Sequence, residues 1–151
     1  ATPCHHARTV FESAADFDGA VEGFSQGEIV DPIYYILGGT KSGQGAVVTR
    51  DRSKALDVWK LDPSAGAAGA DADGWFRLQT NYDHWKPVPT ADDRRTPGYA
   101  HMREMGHDNV TVAGMWNVLR QWPTFNPHTD FSAVMSAASG TYDTLVWMDG
   151  V

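Results

Sequence analysis

Cysteine is nearly absent from these 151 residues: Cys4 stands alone, so no disulfide can form within them. A lone thiol leaves three readings open: a bridge to another chain, a free thiol, or an inert residue near the chain start. Long apolar runs are also missing. No stretch approaches the ~20 consecutive apolar residues of a membrane span. Nothing at Ala1 reads as a secretory leader, which a processed chain would lack in any case. Basic residues are in the minority, with 12 Lys and Arg against 19 Asp and Glu and a net charge of −7. That balance argues against a nucleic-acid partner, because phosphate binding needs clustered cations. Several chemical signatures are lacking as well. The Gly-rich turn at 38–45 has no GxxxxGK[ST] pattern, and no GxSxG elbow occurs. The histidines show neither i, i+4 helical spacing nor an HExxH context, so a catalytic metal is not expected. No cofactor is implied.

What is present is enough apolar material for a core. Hydrophobic residues make up 42%, which suits one domain, or part of one, over 1–151. Phe17, Ala20, Val21 and Phe24 recur at helical spacing and predict a helix over 11–26, with Ser13 and Asp16 as a box-like start. Ile33 to Leu37 is a β-rich run, expected to be a fully buried strand. Gly45 to Arg50 and Ala55 to Leu61 predict two more strands, separated by turns at 38–43 and 51–54. Residues 62–74, rich in Ala, Gly and Asp, read as a flexible loop, and Trp75 to Asn81 as a fourth strand. A Pro-punctuated loop follows. Helices are then expected over 92–105 and 111–121, the latter with a stripe of Val112, Met115, Trp116 and Leu119. Phe131 to Ala138 and Tyr142 to Met148 predict a closing hairpin. Runs of strands and helices, rather than strict alternation, indicate an α+β fold with an antiparallel sheet.

The densest polar constellation runs from Asn81 to Arg95 and includes Tyr82, Asp83, His84, Asp92, Asp93 and Arg94. Asn81, expected at a strand end, can donate an amide hydrogen bond to a developing oxyanion. Asp93 and Arg94 suit a paired, oriented charge. The same residues also read as a loop held by Asx-turns and surface ion pairs. Asn109-Val110-Thr111 is a glycosylation sequon in a polar stretch.

Gln79-Thr80-Asn81-Tyr82-Asp83-His84-Trp85-Lys86-Pro87, followed by Asp92-Asp93-Arg94-Arg95-Thr96, resembles the C-terminal half of the β-subunit in the N-acylethanolamine acid amidase and acid ceramidase family. Tyr34-Tyr35-Ile36-Leu37-Gly38-Gly39 and Val48-Thr49-Arg50-Asp51-Arg52 resemble it too, and the likeness extends from about Arg8 to about Trp147. The resemblance implies part of an αββα N-terminal-nucleophile hydrolase sandwich. It also implies a cysteine at the start of the β-subunit whose thiol attacks a fatty-acyl amide, with its own α-amino group as base. By that likeness Asn81 matches the oxyanion-hole asparagine and Arg94 the arginine near the catalytic centre. Tyr82, Asp83 and Asp93 are supporting positions, and Asn109 falls where family members look glycosylated.

The family's cysteine opens a Cys-Thr-Ser-Ile-like strand followed by an Arg and an Asp, and none of these is among the 151 residues. Cys4, in a Pro-Cys-His-His context, does not match it. The expectation is therefore a subunit or fragment of a lysosomal or secreted lipid amidase. Its partner would be another chain carrying the nucleophile and the remaining strands, and its substrate a fatty-acid ethanolamide or ceramide. Without that partner, exposed sheet edges would make it a poor folder. The alternative is a catalytically dead module that binds a lipid or another hydrophobic ligand.

Overall fold

Two helices open the chain where one was expected. α1 spans Pro3–Ser13 and α2 spans Phe17–Ser25. Thr2 caps α1 by accepting from His5 N, and Pro3 occupies the first turn, where a missing N–H costs nothing. Ser13 is not the start of a helix. It closes α1, with its hydroxyl turned back to Thr9 O at 2.8 Å. Asp16 alone caps α2, accepting from Gly19 N at 2.8 Å. Thr2-Pro3 was the overlooked start signal, and the extended backbone at Ala14 and Asp16 separates the helices. Gly23 does not weaken α2 so much as admit α1: a Cβ there would lie 3.0 Å from Val10 Cγ1.

The computed structural model describes residues 1–62, 64 and 72–147 and falls into two units, residues 1–79 and 80–151. In the first unit, β1 (Ile33–Gly38), β2 (Gly45–Arg50) and β3 (Ala55–Lys60) form an antiparallel sheet in that order. Tyr35 pairs with Val48 and Leu37 with Ala46. These four pack with Val10, Ala20, Val21 and Phe24 as the core of the unit. β1 is not buried on both faces as expected: Ile36 is 67% exposed while its neighbours Tyr35 and Leu37 are buried. β1 is an edge strand of this sheet, and only central β2 is buried through consecutive residues. Most of the loop expected over 62–74 lies outside the described residues, and Asp62 N donates to Gly74 O across its mouth.

The fourth strand expected at Trp75 to Asn81 does not form. Residues 76–80 have no regular structure. Phe76 is buried, and Arg77 reaches Lys60 O at 2.8 Å through its side chain, with its guanidinium 4.8 Å from the Trp59 ring centroid. The segment is thus tied to the end of β3 by a side chain rather than by a backbone ladder.

Arg50 closes this unit. It is 1% exposed and donates to Phe24 O at 2.6 Å, Gln26 O at 2.7 Å and Gly27 O. These carbonyls lie at the C-terminal end of α2, where intrahelical donors run out and a cation is favoured. Gly27, at φ +79°, turns the chain away there.

In the second unit, a 3-10 turn at Thr90–Asp92 leads into α3 (Arg95–Met105), and another at His107–Asn109 leads into α4 (Val112–Leu119). Pro97 is tolerated because it falls in the first turn of α3, where no intrahelical bond is lost. Thr111 caps α4 through Gly114 N at 3.0 Å. Trp116 is buried as the stripe predicts, but Val112 is 39% exposed at the helix start and Val118 is buried instead. β4 (Phe131–Ser136) and β5 (Thr141–Val146) form the expected hairpin. Its inner face places Val134 in the core and Asp143 on Trp116 Nε1 at 2.9 Å. Its outer face carries Phe131 opposite Val146 and Met135 opposite Tyr142, all 63–72% exposed.

Replacing Arg50 with Met should lower the unfolding free energy by about 3 kcal/mol, since three carbonyls lose a charged donor. Arg8→Gln removes only an exposed pair with Glu12 and should change it by no more than about 0.5 kcal/mol. Urea unfolding of the two variants separates the cases, and similar midpoints for both would contradict the role given to Arg50.

Candidate active site

The chain leaves the first unit at Gln79, and the polar constellation follows in the second. Asn81 sits in a bend rather than at a strand end, and it is exposed. Arg94 Nη2 donates to Asn81 Oδ1 in a short contact. The amide is thereby oriented: with Oδ1 engaged, its nitrogen is the group left to donate elsewhere.

Arg94 does not pair with Asp93 as expected. Its Nε donates to Asp92 Oδ1 at 3.1 Å. The second oxygen of Asp92 accepts from the Tyr82 hydroxyl at 3.0 Å. Asp93 instead accepts from Thr96 N at 2.9 Å, in the first turn of α3. The reason is local: a carboxylate three residues before an unpartnered helix N–H is in capping position, so the residue adjacent to Arg94 is already engaged. Asp92, at the end of the 3-10 turn, is the one that faces the guanidinium.

These contacts shift the titrations. Hydrogen bonds from Arg94, and then from Tyr82, hold the Asp92 carboxyl below the usual carboxylate range. The hydrogen bond to Asp92 raises the Tyr82 hydroxyl above its ordinary value. Asp93 is lowered by the backbone N–H of Thr96. A carboxyl depressed in the folded state contributes stability above its unfolded pKa and loses it only as pH falls through the folded value. The Asp92–Arg94 link therefore persists into acid.

Asp83, the other position expected to support Asn81, lies in the same loop. Its carboxylate pairs with Lys86 Nζ at 2.7 Å and braces the loop. Arg95, not among the sequence candidates, donates from Nη2 to Tyr82 O at 2.6 Å and Asp83 O at 2.9 Å. From Nη1 it donates to Lys86 O at 2.7 Å and His84 O at 3.4 Å. In the sequence, Arg95 looked like one more charge in a polar run. Its signal was its place at the start of α3, a few residues beyond the irregular loop of Tyr82 to Lys86. An open cleft of about 610 Å³ borders the network, with Asp92 and Arg94 on its wall beside Asn126, His128 and Phe131. Cys4 is exposed in the first turn of α1, in the first unit. Among the described residues no three His, Cys, Asp or Glu are grouped so as to hold a metal.

Comparison with known proteins gives this geometry its context. The chain is 42% identical over 132 residues to the N-acylethanolamine-hydrolyzing acid amidase of Cavia porcellus, covering 87% of this chain and 35% of that protein. It is 36% identical over 137 residues to the acid ceramidase of Mus musculus, covering 91% of this chain and 33% of that one. A solved Caenorhabditis elegans ortholog of the acid amidase superposes with a TM-score of 0.78 at 31% identity, covering 95% of this chain and 60% of that chain. The chain is homologous to the C-terminal part of these amidases. No family model matches it. The homologous stretch spans about a third of the length of the curated relatives it matches. Its fold is α+β, part of the αββα N-terminal-nucleophile hydrolase sandwich, and its homologues are lipid amidases.

The side-chain carboxyl of Asp92 should titrate with a midpoint below about 3.9, the value of a free aspartate. Carbon-detected NMR across the acid range reads this directly. A midpoint at or above that value would remove Arg94 as a partner of the ionised group.

Proposed function

We propose that these residues supply the oxyanion-binding side of an amide-hydrolysing site that acts on fatty-acid ethanolamides or ceramides. Polypeptide outside the 151 residues supplies the nucleophilic cysteine. The contact of Arg94 with Asn81 Oδ1 carries the reading, because it leaves the Asn81 amide nitrogen as a preset donor. The chemistry requires such a donor. A thiol attacks the acyl carbonyl, and negative charge grows on its oxygen. An amide N–H fixed beforehand stabilises that charge without reorganising at the moment of reaction. The C–N bond then breaks, the amine leaves with a proton, and water releases the fatty acid from the thioester. The Arg94 charge strengthens the field on the same side, and the cleft beside it gives the reacting group a place to lie.

The partner polypeptide would bring the nucleophile and the remaining strands. In support, the outer face of the β4–β5 hairpin carries no charge: Phe131, Ala133 and Met135 lie across from Val146, Thr144 and Tyr142. Exposed faces of that composition bury against other surfaces. A lysosomal or secretory location is part of the proposal: an acidic setting fits the homologues' names, and the net charge of −7 and the sequon are compatible with it. Asn109 is exposed, in the turn between α3 and α4, and is proposed to carry a glycan.

In the assembled enzyme, Asn81→Ala should lower kcat by about 10²–10³-fold, the usual cost of one oxyanion donor. KM should change little, because the contact is strongest in the transition state. An equal loss in substrate binding would remove the oxyanion role. A thiol-directed acyl-amide probe should label the assembly. Lipid binding without labelling would mark a binding module instead of an enzyme.

Asn109→Gln should remove the mass of one N-linked glycan and cost no more than about 0.5 kcal/mol, through the exposed hydrogen bond from Asn109 Nδ2 to Met105 O. Thr111→Ala should remove the same mass and also cost about 1 kcal/mol through the lost α4 cap. Intact-mass analysis of secreted material checks both, and an unaltered mass would show that Asn109 is bare.

A further inference from the structure

We infer that Arg95 is a positioning residue for this site: it fixes the path of the loop after Asn81, so the orientation of the Asn81 amide depends on a side chain that binds only backbone. The inference rests on the oxyanion reading of Asn81.

The loop from Tyr82 to Lys86 has neither strand nor helix to set its course, and one backbone bond, Lys86 N to Asp83 O at 2.9 Å, closes its turn. The carbonyls of Tyr82, Asp83, His84 and Lys86 converge on the Arg95 guanidinium. Converging carbonyl dipoles repel one another, and a planar cation with several fixed donors turns that repulsion into attraction. An ammonium has three donors on one atom and cannot span the same set. Arg95 Nε is itself shielded from solvent with no acceptor, so the head group is held by the loop rather than by water.

Geometry then links this clamp to the reacting side. Arg95 holds the Tyr82 carbonyl. The Tyr82 hydroxyl reaches Asp92, Asp92 binds Arg94, and Arg94 binds the Asn81 amide oxygen. Asn81 is joined covalently to Tyr82, so the circuit closes on itself. Arg94 and Arg95 are consecutive, which puts both guanidinium groups under the control of the start of α3. One faces Asn81 and the other faces the loop that carries it. A shift of the loop would move the amide donor relative to an oxyanion whose place the rest of the enzyme sets.

The test is steady-state kinetics on the assembled enzyme with Asn81→Ala, Arg95→Ala, Arg95→Lys and the Asn81→Ala/Arg95→Ala double variant. Arg95→Ala should lower kcat by roughly 10- to 100-fold, the scale of a misplacement near 1 Å, with KM within about threefold and the thiol probe still reacting. The double variant should be no slower than Asn81→Ala alone, because two residues acting through one donor are not additive. Added ethylguanidinium should restore part of the kcat of Arg95→Ala and none of the double variant. If Arg95→Ala does not accumulate, Arg95→Lys serves: its kcat should fall while its thermal midpoint stays near that of the parent. Additive losses in the double variant, or an Arg95→Lys enzyme with parental kcat, would overturn the inference and leave the amidase reading standing. An Asn81→Ala enzyme with parental kcat would instead overturn the amidase reading beneath it.

Discussion

Backbone carbonyls that point together, away from any helix or ladder donor, must be met by hydrogen-bond donors or remain unsatisfied. Among the described residues arginine meets them at Arg50 and at Arg95, and Arg77 does so on a smaller scale between the end of β3 and Phe76. Arg50 gathers the carbonyls at the end of α2, and Arg95 gathers those of the loop after Asn81. The first contact joins the helical layer of the first unit to its central strand. The second gives the loop beside the candidate site a definite course. Both rely on a property particular to guanidinium, several donors in one rigid plane, which lets one side chain replace a stretch of regular structure.

The candidate site follows from the second clamp. Asn81 lies in no strand, so the backbone alone does not aim its amide. Side chains do so instead, through Arg94, Asp92 and Tyr82. The carboxylate at the centre of that chain is held below its ordinary pKa by its two donors, so the arrangement tolerates acid. A site built in this way is exposed to water until other polypeptide or substrate covers it, and covering would strengthen each of its electrostatic contacts.

Where the sequence misled, the competing physics can be named. Trp75 to Asn81 reads as a strand, yet Arg77 satisfies the end of β3 through its side chain and the ladder is never extended. Ser13 and Asp16 look like one capping box, but the serine bonds back into the helix before it, and only the aspartate caps. Asp93 and Arg94 look like a pair because they are adjacent. The helix N–H of Thr96 claims Asp93 first, and Asp92 takes the arginine. Ile36 sits in a run that reads as buried throughout, but an edge strand presents one face to its helices and the other outward.

The sequence by itself determined what depends on neighbours a few residues apart. It yielded strands over 33–37 and 45–50, a closing hairpin from Phe131, a helix from Thr111, and the Asn81–Thr96 block whose likeness named Asn81, Tyr82 and Arg94 together. Periodicity and capping are local, and so they are legible. Tertiary structure alone decided which carboxylate orients Arg94, which way Ile36 faces, and that Arg50 and Arg95 hold backbone rather than solvent. Those outcomes depend on where carbonyls converge in space. Convergence is set by the paths of segments up to 26 residues apart, and no pattern along the chain records it.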